Sequence, residues 1–323
     1  MIRTFVSLLA FVLILASCRK DMLHWKQVDK LETFTSTDRF NKIYFISDSV
    51  GFVIGGTRFD NSTILKTENG GRTWTLTHVQ DAPKELFGIT QTSLGVLFCI
   101  GLDGKLLSST DEGNNWAVKQ LWYLPYKDLA FFDNSRGLVV GGISFNQGYT
   151  TKIKTDGSFE QFDSVGYEMN DIEMANDRTG FISAHGAILR TDDSGRNWQI
   201  TEVVNDNYTA IHVFGSEVWT CGYNGSIYRS ADLGKSWSRM RNGNDFTKPR
   251  YRLNDILFTD PQTGYAVGEN GLLIYTDDGG NHWMEFDRFT DNTLRCVIAS
   301  GGGSLLVCGD YGSLYRVLPK YLK

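Results

Sequence analysis

The 323-residue sequence is poor in proline and cysteine, with 5 of each, and it has only 5 histidines. Cys18, Cys99, Cys221, Cys296 and Cys308 never take a C-x-x-C spacing, and no cysteine–histidine cluster accompanies them. That excludes the common zinc and dithiol motifs. Most cysteines after Cys18 sit in apolar runs such as Leu97–Phe98–Cys99–Ile100, as buried small hydrophobes do. No metal and no cofactor is expected. An excess of one charge is lacking too: the net charge is −5 with acids and bases interspersed, so no basic face for nucleic acid stands out. The motifs G-x-S-x-G and H-E-x-x-H, a P-loop and a Rossmann fingerprint are all absent.

What is present begins at the N-terminus. Arg3 supplies a positive start, and Phe5 to Ala16 is apolar apart from Ser7. That run is too short to span a bilayer comfortably, and it fits the apolar region of a secretory signal. It ends in Leu15–Ala16–Ser17–Cys18, which resembles the lipobox of bacterial lipoproteins. The resemblance implies a signal peptide over residues 1–17, a mature chain over 18–323 and a lipid on Cys18. Several acyl chains at about 0.8 kcal/mol per buried CH₂ make such an anchor stable. Arg19, not Asp, follows the cysteine. The address expected is the bacterial cell envelope, the outer membrane rather than the inner, facing the periplasm or the surface.

The body of the chain is a repeat. An octapeptide S/T-x-D-x-G-x-x-W occurs at Thr67 to Trp74 (TENGGRTW), Ser109 to Trp116 (STDEGNNW), Thr191 to Trp198 (TDDSGRNW), Ser230 to Trp237 (SADLGKSW) and Thr276 to Trp283 (TDDGGNHW). Its acid position holds Asn69, Asp111, Asp193, Asp232 and Asp278. Successive tryptophans lie 42, 82, 39 and 46 residues apart, so the gap of 82 covers two units. A degenerate copy at Thr155–Asp156–Gly157–Ser158–Phe159 fills it. A second signature precedes the boxes, clearest in Gly264–Tyr265–Ala266–Val267–Gly268. Each unit therefore predicts four short strands, here called a to d, with d beginning at the Trp. Four-stranded units of about 40–45 residues are propeller blades.

The fold class expected is all-β: a seven-bladed β-propeller of four-stranded antiparallel blades. Strand a of the seven units begins near Ile43, Ile89, Leu129, Ile172, Ile211, Ile256 and Val297. The seventh unit stops after Ser313–Leu314–Tyr315–Arg316 with no box, while His24–Trp25–Lys26–Gln27–Val28 reads as a spare strand d. Pairing of 24–28 with 313–317 would complete the last blade and leave no long edge open. Within that blade, Gly301–Gly302–Gly303 makes a tight a–b connection. If Ser300 pairs with Ser304, Cys296 falls opposite Cys308.

The box reads as a structural hairpin. Its acid accepts turn amides, its Gly takes a conformation other residues resist, and its Trp packs between blades. The opposite face carries the d–a and b–c loops, and loops on a rigid scaffold usually carry function. The segment Arg241 to Leu253 holds Arg241, Phe246, Lys248, Arg250, Tyr251 and Arg252. Two enlarged b–c hairpins, Gly56 to Ser62 and Ile143 to Tyr149, add Phe59, Phe145 and Tyr149. Arginines among exposed aromatics suit a protein interface. Asp128, Asp171 and Asp255 share one position at the start of strand a, near the channel mouth, as a carboxylate cluster or as local backbone acceptors.

The pair G-[YF]-x-V-G-x-x-G and T-x-D-G-G-x-x-W resembles the photosystem II stability/assembly factor family over nearly the whole mature chain. The resemblance implies a seven-bladed propeller, often a lipoprotein, with a non-catalytic, protein-binding role; a monomer is expected. The competing enzyme class is a glycosidase, because sialidases share the box, and a non-catalytic glycan-binding role is a third possibility. A sialidase needs an early F/Y-R-I-P; the nearest match, Tyr251–Arg252–Leu253–Asn254, is late and lacks the proline. No catalytic residue is assigned.

Overall fold

The computed structural model describes residues 23–33, 37–77, 79, 81–82, 84–245 and 250–320. Cys18, the expected signal segment, Phe246 and Lys248 lie outside the described residues. The described chain is all-β, and its helical content is three single 3₁₀ turns. No helix among the described residues is long and apolar enough to cross a membrane.

The strands form five four-stranded antiparallel sheets and one of six strands. Units one, two, three and six each give one sheet, with inner strands Arg39–Phe45, Leu86–Gln91, Tyr126–Phe131 and Leu253–Phe258. Units four and five share the six-stranded sheet. There a single strand, Gln199–Phe214, is strand d of unit four and strand a of unit five. Its middle, residues 203–207, contains neither Gly nor Pro; the strand stays extended there although its ladder shifts register, from Ala187↔Glu202 to His185↔Asn207.

The last sheet joins the two ends of the chain. Leu294–Ser300, Ser304–Gly309 and Leu314–Lys320 pair in order, and His24–Lys30 adds on the outside. The partner strand is the one the sequence suggests, but the register lies further along: Val28 meets Val317 and His24 meets Lys320. A bulge at Lys26 separates the pairs Trp25↔Pro319 and Gln27↔Leu318. The segment also grips the preceding sheet. Leu23 N donates to Glu285 O at 3.1 Å and Asp287 N to Leu23 O at 2.9 Å.

Both faces of the sheets are buried, because each packs on a neighbour. Phe52 and Ile64 point to unit two, whereas their chain neighbours Val53 and Leu65 point to unit seven. This is why strands b and c read as continuous apolar runs rather than as alternation. Seven clusters of buried side chains result among the described residues, and each joins two consecutive units. One of them, with Phe40 and Ile43 against Cys296 and Leu306, joins the last unit to the first. A fully buried aromatic such as Trp219, stacked on Phe258 at 3.9 Å, contributes on the order of 2–3 kcal/mol by area alone.

Trp25 fills the sixth–seventh cluster as the box tryptophans fill others. It stacks on Phe286 at 4.1 Å and donates from Nε1 to Asp287 O at 2.7 Å. Trp25→Ala should therefore cost about 3 kcal/mol, read as a lower urea midpoint at unchanged slope. A wild-type midpoint would remove the N-terminal strand from the cooperative fold.

Candidate functional site

The inner strands share an irregularity that sets the geometry of the central channel. Each carries a bulge at one equivalent place, between Phe40 and Lys42, Leu86 and Gly88, Tyr126 and Asp128, Met169 and Asp171, Tyr208 and Ala210, Leu253 and Asp255, and Leu294 and Cys296. An extra residue re-aims side chains locally. The bulged residues reach sideways to the next inner strand. Asn41 donates to Leu86 O at 2.8 Å, Asn170 to Tyr208 O at 2.7 Å, Thr209 to Leu253 O at 2.7 Å and Asn254 to Leu294 O at 2.7 Å.

In units three, four and six the residue after the bulge is an aspartate that works in the opposite sense. Asp128 Oδ2 accepts from Ile172 N at 3.2 Å, Asp171 Oδ2 from Ile211 N at 2.9 Å and Asp255 Oδ2 from Val297 N at 2.9 Å. The three carboxylates are thus equivalent in position and tie each unit to the next. Cys296 takes the same place at the last unit, where its Sγ accepts from Ile43 N at 3.4 Å. Lys42, in the same position of unit one, reaches across to Asp128 at 2.9 Å and Asp171 at 3.2 Å.

These groups line a cavity of about 460 Å³ together with Glu173 and His212. Burial works against the charge of Lys42, but the two aspartates hold its ammonium well above its usual range. Burial pushes Asp128 well up, Lys42 opposes this and Asp171 adds to it. Asp171 is held low despite burial, by Lys42 and the Ile211 amide. Burial, and secondarily Asp171, pushes Glu173 up to about 8. Its Oε2 lies 3.8 Å from His212 Nδ1, whose pKa burial lowers. A glycosidase needs two carboxylates free to flank a scissile bond. Here Asp128, Asp171 and Asp255 are engaged by backbone amides, two of them by Lys42 as well.

At the mouth, on the side of the b–c and d–a loops, aromatic and arginine side chains run across units three to six. Phe145 stacks on His185 at 4.6 Å and meets Tyr223 edge-on at 6.0 Å. Arg252 lies over the Tyr223 ring at 3.6 Å, with Glu269 at 3.5 Å. Arg288 covers Tyr251 at 4.8 Å. Arg250 is exposed, and Phe59 is 65% exposed beside Arg58. Arg241 turns away from solvent and donates from Nη1 to Gly225 O.

Tyr149 corrects the expectation. Strand c of unit three resumes at Gln147, so Tyr149 lies inside the strand opposite Gly141, not in the loop. It is 6% exposed, meets Phe162 edge-on at 5.7 Å and belongs to the core. Several mouth residues escape sequence reasoning: Trp122 and Tyr123 in the d–a loop after unit two, Tyr311, Tyr223, His185, and Lys42 with Glu173 and His212 inside. The doublet Trp122–Tyr123 just before Pro125 was the available signal for the first two. Lys42, one residue before Ile43 as Asp128 is before Leu129, was the signal for the channel.

The box side is closed on itself. Thr276 Oγ1 donates to Asp278 Oδ1 at 2.9 Å and accepts from Gly280 N at 2.9 Å, while Asp278 Oδ1 accepts from His282 N at 2.9 Å. Ser109 with Asp111, Thr191 with Asp193, Ser230 with Asp232 and Thr67 with Asn69 repeat the pattern. A Cβ on Gly113 (φ 75°) would stand 2.4 Å from Phe52, and one on Gly280 (φ 83°) 2.6 Å from Trp219. Both contacts are with the preceding unit. Trp74, Trp116, Trp198, Trp237 and Trp283 pack into the clusters between units.

These features define a propeller-like all-β protein with a structural box face and an irregular, aromatic-rich opposite face. No family model matches the chain. In sequence it is similar to the photosystem II assembly lipoprotein Ycf48 of Synechococcus sp. (strain CC9902), 23% identical over 151 residues that cover 45% of this chain and 44% of that protein. It is also similar to the photosystem II stability/assembly factor HCF136 of Arabidopsis thaliana, 22% identical over 306 residues covering 72% of this chain and 74% of that one. The chain thus spans less than half of the Synechococcus relative. Among solved structures, YCF48 bound to D1 peptide matches with a TM-score of 0.69 at 17% identity, over 94% of this chain and 98% of that one. A catalytically inactive virginiamycin B lyase from Staphylococcus aureus, with quinupristin, matches with a TM-score of 0.72 at 11% identity, over 90% and 99%. At such identities the structural likenesses speak to the fold.

Burial pushes Asp255 up to about 6 from its ordinary 3.8. The folded form therefore holds the proton more tightly. Its contribution to stability is complete below pH 3.8 and is lost as pH rises through about 6. Asp255→Asn cannot ionise, so its melting temperature should fall less than that of the wild type across this window. Parallel curves would place the titration elsewhere.

Proposed function

We propose that this chain is an exported, lipid-anchored, non-catalytic scaffold that binds or assembles a protein partner on the b–c/d–a face of a closed seven-bladed ring. One observation carries the reading. Of the eight large apolar side chains exposed among the described residues, Phe59, Trp122, Tyr123, Phe145 and Tyr311 lie in b–c or d–a connections and Ile143 in the last turn-side residues of strand b, against Leu94 and Ile200 elsewhere. In an up-and-down sheet those connections share one end, so the exposed aromatics concentrate on one face. Such concentration marks interaction sites, and the neighbouring Arg58, Arg250, Arg252 and Arg288 give it the composition of a protein interface.

The ring reading draws on the pairing of His24–Lys30 with Leu314–Lys320 and on seven inter-unit clusters, one of them linking the last unit to the first. In that reading the six-stranded sheet is two blades sharing one long strand. The assembly reading draws on the relatives, an assembly lipoprotein and a stability/assembly factor, and on a structural neighbour that holds a peptide. The partner class that follows is an extended segment of a membrane protein at the membrane to which Cys18 ties the chain. A glycan ligand is the alternative occupant of the same face.

Two experiments test this. Cys18→Ser should move the protein from the membrane fraction to the soluble fraction; retention in the membrane would refute lipid anchoring there. Arg250→Glu with Arg252→Glu should abolish capture of the partner from detergent-solubilised membranes while the melting temperature stays near that of the wild type. Hydrolysis of a glycan panel, lost in Asp171→Asn, would establish the glycosidase class instead.

A further inference from the structure

Cys296 and Cys308 stand opposite one another in the two inner strands of the last sheet, in the register that pairs Ser300 with Ser304. Directly opposed residues of an antiparallel pair put their side chains on one face, with Cα atoms about 4.5–5.5 Å apart, within the span a disulfide bridges. Both thiols leave that face towards unit one. Cys296 Sγ accepts from Ile43 N at 3.4 Å, and Cys308 Sγ donates to Phe40 O at 3.4 Å. They are 5% and 0% exposed, and both belong to the cluster that joins the last unit to the first. Cys99 and Cys221 lie in two other clusters, each the sole cysteine there.

We infer that Cys296 and Cys308 form an intrachain disulfide during folding outside the cytoplasm, by exchange with the disulfide of a thiol-oxidising protein. One thiolate of the pair attacks a donor sulfur and releases the donor's other sulfur as a thiolate. The second thiol, deprotonated, attacks the resulting mixed disulfide and frees the donor. Two thiols are oxidised by two electrons, the donor disulfide is reduced to a dithiol, and the two protons pass to it. The burial of both sulfurs sets the order of events: the donor reaches them before the last unit closes on the first. The crosslink then shortens the free chain of the inner hairpin of the sheet that the N-terminal strand joins on its far side, which constrains the unfolded state. Formation in the cell rests on the export proposed above; the geometry does not.

The test uses the full chain carrying Cys18→Ser, in which Cys99, Cys221, Cys296 and Cys308 are the remaining thiols. It is refolded in a mixed glutathione buffer, acid-quenched, denatured and labelled with a maleimide. The expected result is two labelled thiols, at Cys99 and Cys221, a linked peptide joining 296 to 308, and a melting temperature that drops on adding reductant. Cys296→Ser should label at three sites and lose the reductant-dependent drop. Four labelled thiols on a folded chain, or a bond to Cys99 or Cys221, overturn the disulfide. The same count is made on protein trapped with the maleimide before extraction from cells. Two thiols after refolding but four from cells would overturn formation in the cell, and with it export to an oxidising compartment.

Discussion

The inner strand of each unit has a ladder partner on one side only, and the rest of the architecture depends on how its other edge is satisfied. An unpaired backbone amide or carbonyl withdrawn from water is costly. The units are not joined by strand pairing at the channel, so side chains do that work. The bulge is the device. It places two consecutive side chains where a regular strand would place one, so that one donates to the next strand's carbonyl while the other accepts from its amide. Where both are present, as in Asn170–Asp171 and Asn254–Asp255, two units are locked in register by two bonds of opposite sense.

That constraint explains the channel chemistry. Carboxylates at this position are good amide acceptors, but placing them around a narrow cavity brings like charges together. Lys42 offsets part of this from the opposite side; burial first, and Asp171 second, leave Asp128, Asp255 and Glu173 raised. Perturbed acids in a cavity usually hint at catalysis. Here each of the three aspartates has a structural partner that accounts for its position, and the same position holds Gly88, Ala210 and Cys296 in other units. A position that accepts such different residues serves as a joint between units.

How much of this was legible in the sequence follows from where the signal is repeated. The box recurs five times, so the four-strand unit and the place of the orphan Trp25 could be read from its spacing, but the single strand Gln199–Phe214 shared by units four and five could not. The Cys296–Cys308 register was legible because three glycines fix the length of one turn. The bulges were not: they begin each inner strand about three residues earlier than its apolar core and leave only a weak mark, a small polar residue before an Asp. Tyr149 failed for a related reason. An enlarged loop and a strand that resumes early have the same composition, and only the pairing of Tyr149 with Gly141 decides between them. The mouth residues belong to loops that differ from unit to unit, so no repeat could point to them.

The same contrast separates the two faces. On the box face, the turn amides, the hydroxyl and the acid of each box bond to one another, and the glycine lies against the preceding unit with no room for a methyl group. Such a turn cannot change its sequence or its shape without disturbing the joint between two units. The opposite loops carry no such constraint. The hairpin tip around Phe145 and the Arg252–Tyr223 stack meet through Phe145 and Tyr223, while Trp122 of the doublet Trp122–Tyr123 packs edge-on against Phe162 at 5.5 Å. A scaffold fixed at one face by repetition is free to vary at the other, and it is there that large apolar side chains are left in water.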